Sequence, residues 1–252
     1  MITAENVYKY FDGDEVLHDI SAEFYRGKTN LVIGQSGSGK TVLIKCLIGL
    51  HEVSKGAIYF DDLNFTEMDI NGRKKLRTRV GMLFQGGALF DSMSVEENVM
   101  FPLEMYTKDS YQKKLERVNF CLEKVDLKGT NGKFPGELSG GMVKRVAIAR
   151  AIALNPDYLF CDEPNSGLDP RTASRIDNLI YDLTNEFNMT TVINTHDMNS
   201  VLEIGDNVLY IEKGKAAWKG DKEKFLNSDN ESLNNFIYTN EMTRMLKNMK
   251  KK

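Results

Sequence analysis

Apolar and polar residues alternate along two early runs, Ile2 to Phe11 and Val16 to Phe24, and this two-residue period predicts a pair of strands. Asp12-Gly13-Asp14 between them is turn chemistry, so the pair reads as an N-terminal antiparallel β unit. Thr29 to Ile33 is a short apolar run, the pattern of a buried strand, and leads through a glycine-rich loop into a helix from about Lys40 to Leu50. Gly56 to Phe60 and Val80 to Phe84 predict further strands. From about Ser94 to Leu154 the period lengthens: Leu115, Val118, Leu122 and Val125 fall on one helical face, and Asn131 to Gly136, with two glycines and a proline, interrupts the helical stretch. A strand follows at Tyr158 to Cys161, then a helix from Thr172 to Phe187 and strands at Thr190 to Asn194 and Asn207 to Ile211. Strands alternating with helices predict an α/β fold with a mainly parallel core sheet, to which residues 95–154 add a helical lobe. Ser232 to Met249 carries Leu233, Phe236, Ile237, Met242, Met245 and Leu246 and reads as one or two short amphipathic helices. The expected organisation is a main domain over residues 1–227 and a C-terminal helical extension over residues 228–252.

A chain of 252 residues can bury a substantial core. Lysine plus arginine number 33 against 36 aspartates plus glutamates, so the balance gives no reason to expect a nucleic-acid surface. The basic cluster Lys247, Lys250, Lys251 and Lys252 reads as a solvated tail. No window approaches the roughly 18 to 20 apolar residues of a membrane span, and Met1 to Asn6 lacks the pattern of a signal peptide. The expected location is therefore the cytosol, with any membrane contact made through a partner. Cys46, Cys121 and Cys161 lie in apolar surroundings without metal-type spacing, which predicts buried free thiols.

Chemistry concentrates in three places. Gly34-Gln35-Ser36-Gly37-Ser38-Gly39-Lys40-Thr41 fills the pattern G-x-x-x-x-G-K-[ST] between a strand and a helix. Glycines there let backbone N–H groups turn toward phosphate oxygens, the helix aims its positive end at the same anion, Lys40 adds a point charge, and the Thr41 hydroxyl can ligate Mg²⁺. Asp162 and Glu163 end an apolar strand, where Asp162 would hold Mg²⁺ and Glu163 would face an attacking water. Ser139 followed by Gly140 and Gly141 makes a second helix start that can approach an anion. One chain does not easily bring both helix starts to one nucleotide, whereas two chains arranged head to tail can, which predicts a homodimer with ATP at the seam.

Leu138-Ser139-Gly140-Gly141 upstream of Asp162-Glu163-Pro164 resembles the signature of the ABC ATPase family, and the resemblance extends over nearly the whole chain. It implies that Gln85 touches Mg²⁺ and water and reports to a permease, that Asp169, in Ser166-Gly167-Leu168-Asp169, belongs to the loop crossing the dimer seam, and that His196 contacts the γ-phosphate. It further implies that Phe11 stacks on adenine, with Tyr10 the competing choice. Met142 stands where glutamine is usual and Gln35 where proline is common, and neither change removes a ligand. Asn165 replaces a more usual threonine, with no consequence that residue type alone supplies.

The stretch Gly81 to Leu103 is similar to the ATPase subunits of Mla/Mce-type phospholipid transporters, and Glu137 to Ala153 matches that branch, Met142 included. The branch resemblance implies a membrane-embedded permease, an Mce-domain lipid-binding protein, often a STAS-domain subunit, and a place at the cytoplasmic face of the inner membrane. The alternatives are an ATPase for another solute or for lipoproteins, and a regulator of cell-envelope hydrolases. Chromosome or repair ATPases, with their long coiled coils or zinc inserts, and two-cassette translation proteins are set aside. Leu89, Phe90 and Met93 beside Gln85 are expected to form a groove for a short permease helix, although Leu89 taken alone reads as packed inward.

Overall fold

A computed structural model describes residues 1–238. Its first half contains β1 (Ile2–Phe11), β2 (Asp14–Phe24), β3 (Lys28–Ile33), α1 (Lys40–Leu47), β4 (Lys55–Phe60), β5 (Leu63–Asn64), α2 (Ile70–Arg77), β6 (Val80–Leu83), α3 (Val95–Tyr106) and α4 (Tyr111–Lys124). The second half contains α5 (Gly140–Ala151), β7 (Tyr158–Asp162), α6 (Pro170–Glu186), β8 (Thr190–Thr195), α7 (Met198–Ile204), β9 (Asn207–Glu212), β10 (Lys215–Asp221), α8 (Lys222–Leu226) and α9 (Glu231–Ile237). Of the amphipathic stretch expected over Ser232 to Met249, α9 covers the start; the remainder and the four C-terminal lysines lie outside the described residues.

Two sheets form. The antiparallel one runs β2-β1-β4-β5, and the core sheet runs β10-β9-β3-β8-β7-β6, parallel throughout except for β10. The inner strands carry apolar residues at adjacent positions because both their faces are covered. Leu31, Ile33, Leu159, Cys161 and Ile193 point into one core with α3, α4, α5 and α6. Val32, Tyr158, Phe160 and Val192 point into a second core shared with α1 and the antiparallel sheet. Each such Leu, Ile or Val contributes about 1.5–3 kcal/mol by leaving water.

The helical stretch begins with a capping box: Ser94 accepts from Glu97 N, and the Glu97 carboxylate accepts from Ser94 N. In α4, Val118 and Leu122 are buried as their spacing predicts, Val125 is buried as its C-cap, and Leu115 packs at the margin. α1 ends earlier than expected, at Leu47, because Gly49 turns to φ +70°, where a Cβ would lie 2.4 Å from the Phe65 ring. α6 starts earlier, at Pro170, because Asp169 caps it. No pattern announced α2, β10 or α7: α2 buries Leu76 alone, β10 has no fully buried residue, and α7 spans just seven residues.

Candidate functional site

Three neighbouring parallel strands deliver the site. β3, β8 and β7 end level with one another, Ile33 pairing with Thr195 and Asp162 with Asn194, so the chain leaving each strand emerges at one edge of the sheet. This is the edge at which open parallel sheets take ligands.

The loop after β3 is closed by its glycines. A Cβ on Gly34 would sit 2.2 Å from the Ile211 carbonyl oxygen, and Gly39 starts α1 at φ 106° against Leu17. Lys40 is 6% exposed and donates to the carbonyls of Gly34 at 2.9 Å and Gln35 at 3.0 Å. Burial holds its pKa below the usual lysine value, and Glu163 and Asp162 offset part of that effect. Gly39 offers no side-chain cap to α1, and Ser38 Oγ is buried without a partner. Uncapped helix amides, an unpartnered hydroxyl and a buried ammonium in one loop fit a phosphate group.

At the end of β7, Thr41 Oγ1 lies 3.3 Å from Asp162 Oδ1, and Asn194 Nδ2 donates to Thr41 Oγ1 at 3.0 Å and also to Asp162 Oδ1. Glu163 adopts a left-handed φ of 49°, and its N–H donates to Asn194 O at 2.9 Å. His196 Nδ1 lies 2.9 Å from Glu163 Oε1 and 2.8 Å from Oε2. The ring nitrogen thus faces both carboxylate oxygens. Among the described residues no group of three or more His, Cys, Asp and Glu could hold a metal by itself. Thr41 and Asp162 offer a hydroxyl and a carboxylate, a donor set that suits Mg²⁺ when phosphate and water oxygens complete its shell.

Gln85 is exposed two residues beyond Leu83, whose pairing with Cys161 sets it beside the acidic strand end. Its carbonyl accepts from the buried Lys144 ammonium of α5, while Arg150 donates to the carbonyls of Gly87 and Ala88, each at 2.7 Å. Phe11 is exposed, its ring nearly perpendicular to that of His51 with centroids 5.2 Å apart and the Lys9 ammonium 4.7 Å from its centroid, while Tyr10 stacks beside Tyr8.

Ser139 and Asp169 form a separate locus. Ser139 caps α5 and accepts from Met142 N at 3.3 Å; Asp169 caps α6 and accepts from the amides of Arg171 and Thr172, both at 3.1 Å. Leu168 lies beside the position of a Gly140 Cβ, and Thr172 beside that of Gly141. Among the described residues no hydrogen bond or ion pair joins this locus to the Lys40 loop.

Sequence reasoning missed Asn194, Lys144 and the partners of Asn165. The available signal for Asn194 was a polar residue near the end of a strand that is buried at every position.

A groove of about 580 Å³ beside the Gln85 loop is lined by Leu50, Phe84, Phe90, Phe101, Pro102 and Tyr106 among others. Phe90 is 41% exposed, and Asn98 fixes its backbone by accepting from its N–H at 2.8 Å and donating to its carbonyl at 3.1 Å. Leu89 packs on the main core and Met93 is half-buried, so the expected set is corrected: of the three, Phe90 lines the groove. Among the described residues no helix is long and apolar enough to cross a membrane.

A family model described as ABC transporter matches residues 17–166. The chain is 36% identical to the probable ribonucleotide transport ATP-binding protein mkl of Mycobacterium leprae, over 94% of this chain and 68% of that one. It is also 36% identical to the methionine import ATP-binding protein MetN of Campylobacter jejuni, over 94% of this chain and 75% of that one. The chain spans about two thirds of the length of its mycobacterial relatives. Among solved structures it matches cbiO1 from Clostridium perfringens, part of the cbiONQ complex, with a TM-score of 0.84 and 29% identity over 98% of both chains. It also matches the dimeric post-hydrolysis state of the ATP-binding cassette MJ0796 bound to ADP and Pi, with a TM-score of 0.80 and 30% identity over 88% of this chain and 99% of that one.

Proposed function

The chain belongs to the ABC transporter family and is an ATPase of its ATP-binding cassette fold, and from this premise we propose that it powers phospholipid movement through a membrane-embedded permease. In this reading Lys40 and the amides of α1 bind the β- and γ-phosphates of ATP, with Phe11 against the adenine. Thr41, Asp162 and Gln85 would hold Mg²⁺, which when bound supplies positive charge against the phosphates. Glu163 accepts a proton from the attacking water, while His196 Nδ1, within 2.9 Å of both carboxylate oxygens, holds the carboxylate in place. The partner's Ser139 completes the site across a homodimer seam.

The observation that carries the coupling is the aromatic groove next to Gln85. A short amphipathic helix of the permease fits such a groove, and the groove wall is fastened to α5 through Lys144 and Arg150. Opening and closing of the ATP-bound dimer then rocks that helix. The chain would sit at the cytoplasmic face of the inner membrane, held there by the permease. Phospholipid as the cargo, with an Mce-domain protein and a STAS-domain subunit as further partners, is supported by the Gly81 to Leu103 stretch. The names of the relatives favour a second reading, import of a small solute such as methionine.

Expression with the permease tests the coupling. Phe90→Asp should release the chain from membranes about tenfold or more, while nucleotide binding by the isolated chain stays intact. Unchanged membrane retention and transport would overturn the groove assignment. In proteoliposomes, ATP-dependent transfer of a labelled phospholipid supports the first cargo, and uptake of labelled methionine without lipid transfer supports the second.

A further inference from the structure

Behind the Glu163–His196 pair lies a polar cluster with no part in the chemistry above. Asn165 follows β7, Asp177 lies on α6 and Ser200 on α7, and they are 7%, 2% and 1% exposed. Asn165 Nδ2 donates to Asp177 Oδ2 at 3.1 Å and Ser200 Oγ at 3.0 Å, and reaches Asp197 Oδ2 at 3.5 Å. Ser200 Oγ donates to Asp177 Oδ2 at 2.6 Å, and Asp177 Oδ1 is buried without a partner. Burial, first of all, lifts the Asp177 carboxyl to about 6; the Ser200 and Asn165 donors oppose this, and the nearby Asp197 and Glu203 add to it. A half-satisfied buried carboxyl costs stability, and an apolar side chain would fill the same space without that cost.

The location of the cluster gives it a use. Asn165 stands two residues after Glu163, and Asp197 immediately after His196. Glu163 is held in a backbone conformation uncommon for a residue with a side chain. Its hydrogen bond to His196 requires the chains leaving β7 and β8 to stay together, and Asn165 ties the first of these to α7 and α6. We propose that Asn165, acting through Asp177 and Ser200, is a positioning residue for ATP hydrolysis that keeps Glu163 in register with His196. The proposal rests on reading Glu163 and His196 as the hydrolytic pair.

Steady-state ATPase assays on the assembled transporter test it. Asn165→Ala should lower kcat about tenfold with KM for ATP changed less than about twofold, since the phosphate loop stands on another strand. Asn165→Thr, which keeps a short donor, should recover part of the loss. In a Glu163→Gln background, Asn165→Ala should cause no further drop, because a positioning effect vanishes with the group it positions. If Asn165→Ala fails to fold, the same split between kcat and KM and the same double-mutant comparison are read on Ser200→Ala. If Glu163→Gln alone turns over at the wild-type rate, the hydrolytic reading falls and takes this inference with it. If Glu163→Gln is slow but Asn165→Ala keeps wild-type kcat, or the double variant loses the same factor again, the positioning role alone is overturned.

Discussion

Lys40 binds its own loop before it can bind anything else. Its ammonium spans two carbonyls of the turn, which leaves a third N–H for a ligand, and its burial makes an anion welcome. Lys40→Ala should therefore weaken ATP binding itself. Glu163→Gln should leave binding intact and lower turnover by roughly 10²-fold or more, read as phosphate release from the assembled complex. Wild-type turnover in Glu163→Gln would remove Glu163 from the chemistry. The placement of Lys40, Asp162 and Glu163 around strand ends was legible in the sequence because each belongs to a motif with fixed spacing, whereas His196, a lone histidine, was read from its order in the family resemblance. Asn194, Lys144 and the Asn165 partners were not. Each is a single polar residue whose contact lies across the fold: Asn194 meets Thr41 and Asp162, and Lys144 meets the Gln85 carbonyl.

At the scale of elements, the strands with two buried faces were readable, since short runs with apolar residues on both faces have few other uses. Elements at the margin were not, because α2 and β10 bury too little to impose a period on their residues. The packing of α6 on α7 gives a pH-dependent expectation. Asp177 keeps its proton up to about 6 in the fold, against 3.8 for an ordinary aspartate. Between those values the folded chain binds more protons than the unfolded chain at this position. Its contribution to stability therefore falls as pH rises through the window and levels off above about 6. Asp177→Asn keeps an oxygen for Asn165 and Ser200 to donate to. Relative to wild type, it should gain stability from pH 4 to pH 7, by at most ~3 kcal/mol. Denaturant titrations at the two pH values measure the difference, and a constant difference would contradict the assignment.

For the whole molecule, the separation of Ser139 from the Lys40 loop within one chain makes the composite site testable. Mixing Lys40→Ala chains with Ser139→Ala chains should yield heterodimers with one intact and one doubly damaged site. Nucleotide trapping should then reach at most one per heterodimer, and two would rule out the trans arrangement. The order of the core sheet also bears on how the protein is made. β3 carries the phosphate loop yet pairs with β8 and β9, which come far later in the chain. During synthesis at about 5–20 residues per second, Ile33 waits roughly 10–40 s for Glu212 to follow it out of the ribosome. Until β8 follows, which takes most of that interval, the apolar faces of β3 have no sheet to join, so the nascent chain is exposed to mispairing and suited to a chaperone's grip. The nucleotide site, written near the start of the chain, is among the last parts of the molecule to exist.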